Sequence, residues 1–79
     1  MKNKDLHIGD IIMKNLSVRK QSVRWLAKEI NEDPSNLSKQ LREATIKHDK
    51  LFKICIDMEI DYFSLYSAKC DEIIQKRDE

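Results

Sequence analysis

Apolar residues recur at helical spacing along almost the whole chain. Ile8, Ile11, Ile12 and Leu16 stand at i, i+3, i+4 and i+8, one stripe of a helix over about 7–18. Gly9 inside it costs some helix propensity. Residues 19–21 are the connection. Ser22 is placed to cap a second helix, its hydroxyl accepting from a free amide of the next turn. Val23, Leu26, Ala27 and Ile30 form the inner stripe of that helix, and the small Ala27 lets another helix approach. Asn31-Glu32-Asp33-Pro34 is the strongest local signal: Asp33 can cap, and Pro34 fits a first helical position, where no amide donor is needed. The third helix, about 34–43, has a thin apolar stripe, Leu37 and Leu41, and is otherwise polar. After residues 44–48, Leu51, Ile54, Cys55 and Met58 mark a fourth helix, and Phe52 and Ile56 give it a second stripe. A helix apolar on two sides lies centrally or at an interface. Glu59-Ile60-Asp61 ends it, and Asp61 can cap a fifth helix over about 62–75. Phe63, Tyr66, Cys70 and Ile73, spaced 3, 4 and 3 apart, form a short seam of coiled-coil type on that helix. Residues 76–79 are expected to fray.

Composition narrows the class. At 79 residues the chain is one domain. A core of that size supplies about 3–5 kcal/mol, and a shielded pocket for a large substrate is hard to build. One Gly and one Pro exclude a turn-rich sandwich or barrel and any Gly-rich phosphate loop. A hydrophobic content of 41% argues against bulk disorder. No apolar run nears the roughly 18 residues of a membrane span, and Met1 to Asp5 lead into no signal-type segment, so a cytoplasmic protein without membrane contact is expected. Cys55 and Cys70 are too few for a disulfide scaffold and read as reduced thiols. His7, His48 and the two cysteines lack zinc-site spacing, so no metal is expected. Nothing orients a Ser, His and Asp set, which leaves no enzyme, cofactor or small-molecule substrate. Trp25 reads as the rim of the core, and Tyr62, Phe63 and Tyr66 as core.

The net charge of +1 hides a split. Residues 1–53 carry 12 basic and 7 acidic side chains, residues 54–79 carry 3 and 7. From Ile11 to Lys28 there are five cations and no acid. The split suggests that one face meets a polyanion and another does not, although a charge run alone favours a plain solvated surface.

Two helices joined by a turn of about three residues, the second thin-striped and polar, have the geometry of a helix-turn-helix. The first braces the second, whose outer face stays free to enter a major groove. Residues 23–42 resemble the twenty-residue helix-turn-helix of the phage-repressor-like DNA-binding family of Cro and XRE type. Ser22 through Ile30 carry the pattern of its first helix, with Leu26, Ala27 and Ile30 in place, and Leu37 fills the apolar position of the second. The wider chain, from His7-Ile8-Gly9 to Asp61-Tyr62-Phe63-Ser64-Leu65-Tyr66, is similar to small single-domain members from Bacteroidetes. Three positions depart. Asn31 replaces the usual Gly, a mild change because Asn tolerates the left-handed conformation. Glu32 replaces an apolar residue and should loosen the turn. Gln40 replaces another, with Leu41 beside it to fill the gap.

The resemblance implies base contacts from Pro34, Ser35, Ser38, Lys39 and Arg42, with Asn36 nearby. Lys39 can pair with guanine O6 and N7, the sharpest readout available; Ser35 and Ser38 read several bases weakly, Asn36 can read adenine, and Pro34 offers only apolar contact. Arg42 suits a phosphate as well as a base. Arg19, Lys20, Arg24 and Lys47 look like backbone clamps, which position without specifying.

The expected fold is all-α: five helices, lambda-repressor-like, with a helix-turn-helix in helices 2 and 3. Residues 7–67 form the DNA-binding domain and 68–79 a helical extension and tail. The expected function is sequence-specific binding of double-stranded DNA by a transcriptional regulator or repressor. It would act as a homodimer on half-sites about one helical turn (~34 Å) apart, with Phe52, Ile56, Phe63, Tyr66, Cys70 and Ile73 at the dimer interface. Two alternatives stand beside it: an antitoxin with a protein partner, and a protein-interaction module without DNA binding.

Overall fold

The computed structural model describes residues 6–43 and 46–77, and within them the chain is all-helical, with five helices and no strand. They are α1 (Ile8–Val18), α2 (Val23–Glu29), α3 (Pro34–Arg42), α4 (His48–Met58) and α5 (Phe63–Arg77). His48 belongs to α4 rather than to the loop before it, and α5 runs on through Lys76 and Arg77 instead of fraying there. A helix C-terminus favours cations near its free carbonyls, and Lys76 also pairs with Glu72 one turn back, at 3.7 Å. The expected tail beyond Arg77, the residues Met1 to Asp5 and part of the α3–α4 connection lie outside the described residues.

The helix starts follow from their caps. Ser22 Oγ accepts the Trp25 N–H at 2.9 Å, Asp33 Oδ2 the Asn36 N–H at 3.1 Å, and Asp61 Oδ1 the Ser64 N–H at 3.3 Å. His7 caps α1 through Nδ1, which accepts the Asp10 N–H at 3.3 Å, while its Nε2 lies 3.2 Å from the carbonyl of Arg42, the last residue of α3. With the proton on Nε2, one neutral ring serves both partners.

Three helix ends share one device. Lys20, Asn31 and Glu59 take φ of 61°, 59° and 57°. The following N–H bonds back five residues: Gln21 to Leu16 at 2.8 Å, Glu32 to Ala27 at 2.7 Å and Ile60 to Cys55 at 3.1 Å. The left-handed residue bonds back three, to Ser17, Lys28 and Ile56. This is the Schellman cap, which normally recruits glycine. The left-handed turn expected of Asn31 is present, and Lys20 and Glu59 adopt the same conformation without a short polar side chain to ease it.

α1 and α2 both pack on α3, and α2 also packs on α4. The fully buried residues Ile8, Ile12, Leu26, Ala27, Leu37, Leu41, Ile54, Met58 and Tyr62 fill the space between them. Trp25 is half-buried at the edge of this core. Gly9 is buried where α1 crosses the end of α3, and a Cβ there would overlap the backbone of Leu41. The two stripes of α4 have different fates: Leu51, Ile54, Cys55 and Met58 are buried, whereas Phe52 and Ile56 are 58% and 62% exposed. α5 is anchored at its root, where the buried Tyr62 donates its hydroxyl to Asn15 Oδ1 at 2.5 Å. No residue of α5 itself is buried, and the molecule measures 46 × 25 × 23 Å. No described helix is long and apolar enough to cross a membrane.

Candidate nucleic-acid interface

The outward face of α3 follows from its two-residue stripe. Leu37 and Leu41 are fully buried; Pro34, Ser35, Asn36, Lys39 and Arg42 are exposed, and Ser38 and Gln40 half-exposed. Gln40 stays out of the core and Leu41 enters it. Braced on one narrow line by α1 and α2, the helix leaves the rest of its circumference exposed or half-exposed.

That circumference borders two shallow clefts. The first, between α3 and the start of α2, is lined by Val23, Arg24, Pro34, Ser35, Ser38 and Arg42. Ser35, Ser38 and Arg42 stand at i, i+3 and i+7 and so share one flank. Arg24 comes from the first turn of α2, which the Ser22 cap orients. The second cleft, between α3 and the start of α4, is lined by Asn36, Lys39, Gln40, Glu43, Ile46, Lys47 and Lys50. Lys39 and Lys47 therefore face one groove, with Glu43 as its one carboxylate.

Eight of the ten residues expected to touch DNA thus line these two adjoining clefts. Arg19 and Lys20 do not. They form the exposed cap of α1, and the Arg19 charge bears on Tyr62. Burial raises the Tyr62 phenol above its ordinary value of 10.0; Arg19 opposes that shift and Cys55 adds to it.

The turn between α2 and α3 is fastened rather than loosened. Glu32, expected to weaken it, closes the Schellman cap with its amide. Its carboxylate meets Lys50 Nζ of α4, with both side chains about four-fifths buried. Glu43, Ile46 and Lys50 are the cleft residues that the sequence pattern does not single out. Lys50 and Glu32 lie 18 residues apart, so no local spacing announces their pairing.

The residues expected at a dimer interface separate into two groups. Phe63 and Tyr66 are half-buried against the core of their own chain. Phe52, Ile56, Cys70 and Ile73 are exposed, and Ile74, beside the seam, is 51% exposed. No protein-family model matches this chain, nor does any curated protein or any solved structure.

Proposed function

We propose that this chain is a helix-turn-helix protein of lambda-repressor-like fold that binds double-stranded DNA sequence-specifically, as a homodimeric transcriptional regulator, most simply a repressor. The observation that carries the reading is the outer face of α3. It is polar, free of packing, and bordered by Arg24, Lys39, Arg42 and Lys47. α3 acts as the reading helix in a major groove. Lys39, at the centre of the free face, pairs with guanine, and Ser35, Ser38 and Asn36 read neighbouring base edges. Arg24 and Lys47, on either side, hold the two phosphate strands that wall the groove. Arg19 and Lys20 add long-range attraction rather than contacts. Such a regulator works in the cytoplasm, where its DNA is.

Selection from a randomised duplex library at two salt concentrations tests this. Enrichment of a palindrome, with affinity falling steeply as salt rises, is the expected result. Weak, unselective retention that vanishes at physiological salt would sink it.

A protein partner, as for an antitoxin or an interaction module, is the second reading. The exposed Phe52 and Ile56 favour it, since adjacent large apolar side chains on a small surface mark an interaction site. A stable complex recovered with a toxin-like protein, at a DNA affinity indifferent to Lys39, would favour that reading over the first.

A further inference from the structure

Two apolar surfaces are left uncovered on this chain, and they complement one another. The first is on α4: Phe52 and Ile56, one turn apart, border a shallow groove with Ile30 at its edge and Glu29, Asn31, Lys53 and Asp57 around it. The second is the far half of α5. Phe63, Leu65 and Tyr66 touch the core, but beyond them Ile73 and Ile74 are 43% and 51% exposed. No residue of α5 lines the α4 groove of its own chain. The eleven residues of α5 beyond Tyr66 continue a helix rooted on the core, and none of them is buried.

We propose that a second copy of this chain supplies the cover by reciprocal exchange. The Cys70-Ile73-Ile74 face of each α5 seats on Phe52 and Ile56 of the other copy. This specifies the homodimer on which the proposed function rests. Three observations point to a second copy. The eleven residues of α5 beyond Tyr66 and the eleven-residue α4 are both close to 16 Å long at about 1.5 Å per residue, so one can lie along the other. The groove rim carries two carboxylates, Glu29 and Asp57, against one cation, Lys53, and the seated helix ends in Arg77 and in Lys76, which Glu72 of the same helix partly neutralises. A single patch of one aromatic and one aliphatic side chain buries only a few hundred Å2, against about 1,000 Å2 for a stable interface. A two-fold axis makes each contact twice and closes the assembly at two copies.

Sedimentation equilibrium of the full chain without DNA tests the exchange. Wild type should have the mass of two copies. Phe52→Glu, on the groove, and Ile73→Glu, on the arm, should each be monomeric. An equimolar mixture of the two should regain the two-copy mass, because one arm and one groove remain intact in the mixed pair. Both positions are exposed, so far-UV circular dichroism should stay unchanged, and the uncharged Phe52→Ser and Ile73→Ser should repeat the pattern. A Phe52→Glu protein that stays dimeric, a mixture that stays monomeric, or a monomeric wild type would overturn the proposal. The readout is mass, so failure of the exchange remains distinguishable from failure of DNA binding.

Discussion

Gly9 of α1 lies directly against the main-chain carbonyl of Leu41 in α3, and no side chain fits between them. The only glycine in the chain sits within a helix, where alanine would gain about 1 kcal/mol of propensity. The close approach reverses that preference. A Cβ at Gly9 would meet backbone rather than a movable side-chain tip, so α1 and α3 would have to part. Overpacking of that kind costs about 1–3 kcal/mol or more, a large share of the stability of so small a domain. Gly9→Ala should therefore lower the urea midpoint markedly. An unchanged or raised midpoint would mean that the two helices can separate freely.

Glu32 and Lys50 pair between the α2–α3 turn and α4, mostly out of water. A charge-assisted bond there contributes about 1.5–3 kcal/mol at most, and less where water still reaches the pair. Glu32→Ala and Lys50→Ala should each destabilise by roughly 1–2 kcal/mol. The double variant should cost clearly less than the sum, because the second removal leaves no stranded charge. Chemical denaturation of all four proteins gives the coupling. Strict additivity would show that the two side chains do not act together.

What the sequence makes legible is local. Each helix stripe, the caps at Ser22, Asp33 and Asp61, and the left-handed Asn31 depend on residues within a turn of one another, so spacing reveals them. The polar face of α3 is legible for the same reason, since two buried leucines define its opposite side. Gly9, by contrast, looks like a defect in sequence because its cause, Leu41, is remote along the chain. Glu32 looks like a loose turn because Lys50 lies beyond the next helix. The α5 seam is continuous in sequence, but the core of the same chain takes Phe63 and Tyr66 and leaves Cys70 and Ile73 outside. Only tertiary packing divides those four.

Glu59 closes α4 with φ 57° and ψ 40°. A left-handed residue with a Cβ costs about 1–2 kcal/mol relative to one without. Glu59 is exposed, and no hydrogen bond or ion pair among the described residues involves its side chain. Glu59→Gly should stabilise the fold by about 0.5–1 kcal/mol after the added chain entropy of glycine is counted. For a domain of this size that raises Tm by roughly 2–8 °C. Scanning calorimetry would show it, and a lower Tm would place the side chain in an interaction of its own.

Tyr62 predicts how stability responds to alkali. Its phenol is raised by burial, so above about pH 10 the unfolded chain loses that proton while the folded chain keeps it. The folded state then binds more protons, and stability falls as pH rises. The contribution is complete below the unfolded pKa and is lost as pH climbs through the higher folded one. Tyr62→Phe should cost about 1 kcal/mol at neutral pH, from the missing bond to Asn15. It should also flatten the decline in stability above about pH 10. Equal slopes in both proteins would assign the decline to other groups, such as the lysines.

On DNA, Lys39 and Arg24 should behave differently because of where they stand. Lys39 is at the centre of the free face of α3, whereas Arg24 reaches the neighbouring cleft from the capped start of α2. Lys39→Ala should lose about 1–3 kcal/mol of discrimination at one base pair per half-site and tolerate any base there. Arg24→Ala should weaken all sequences alike and reduce the slope of log affinity against log salt by about 1 for each phosphate it no longer neutralises. Competition titrations over single-base variants of the selected site, repeated at several salt concentrations, separate the two effects. If Arg24→Ala changed the base preference and Lys39→Ala changed only the salt slope, α3 would lie across the groove in another orientation. The bases would then be read from the cleft that holds Ser35, Ser38 and Arg42.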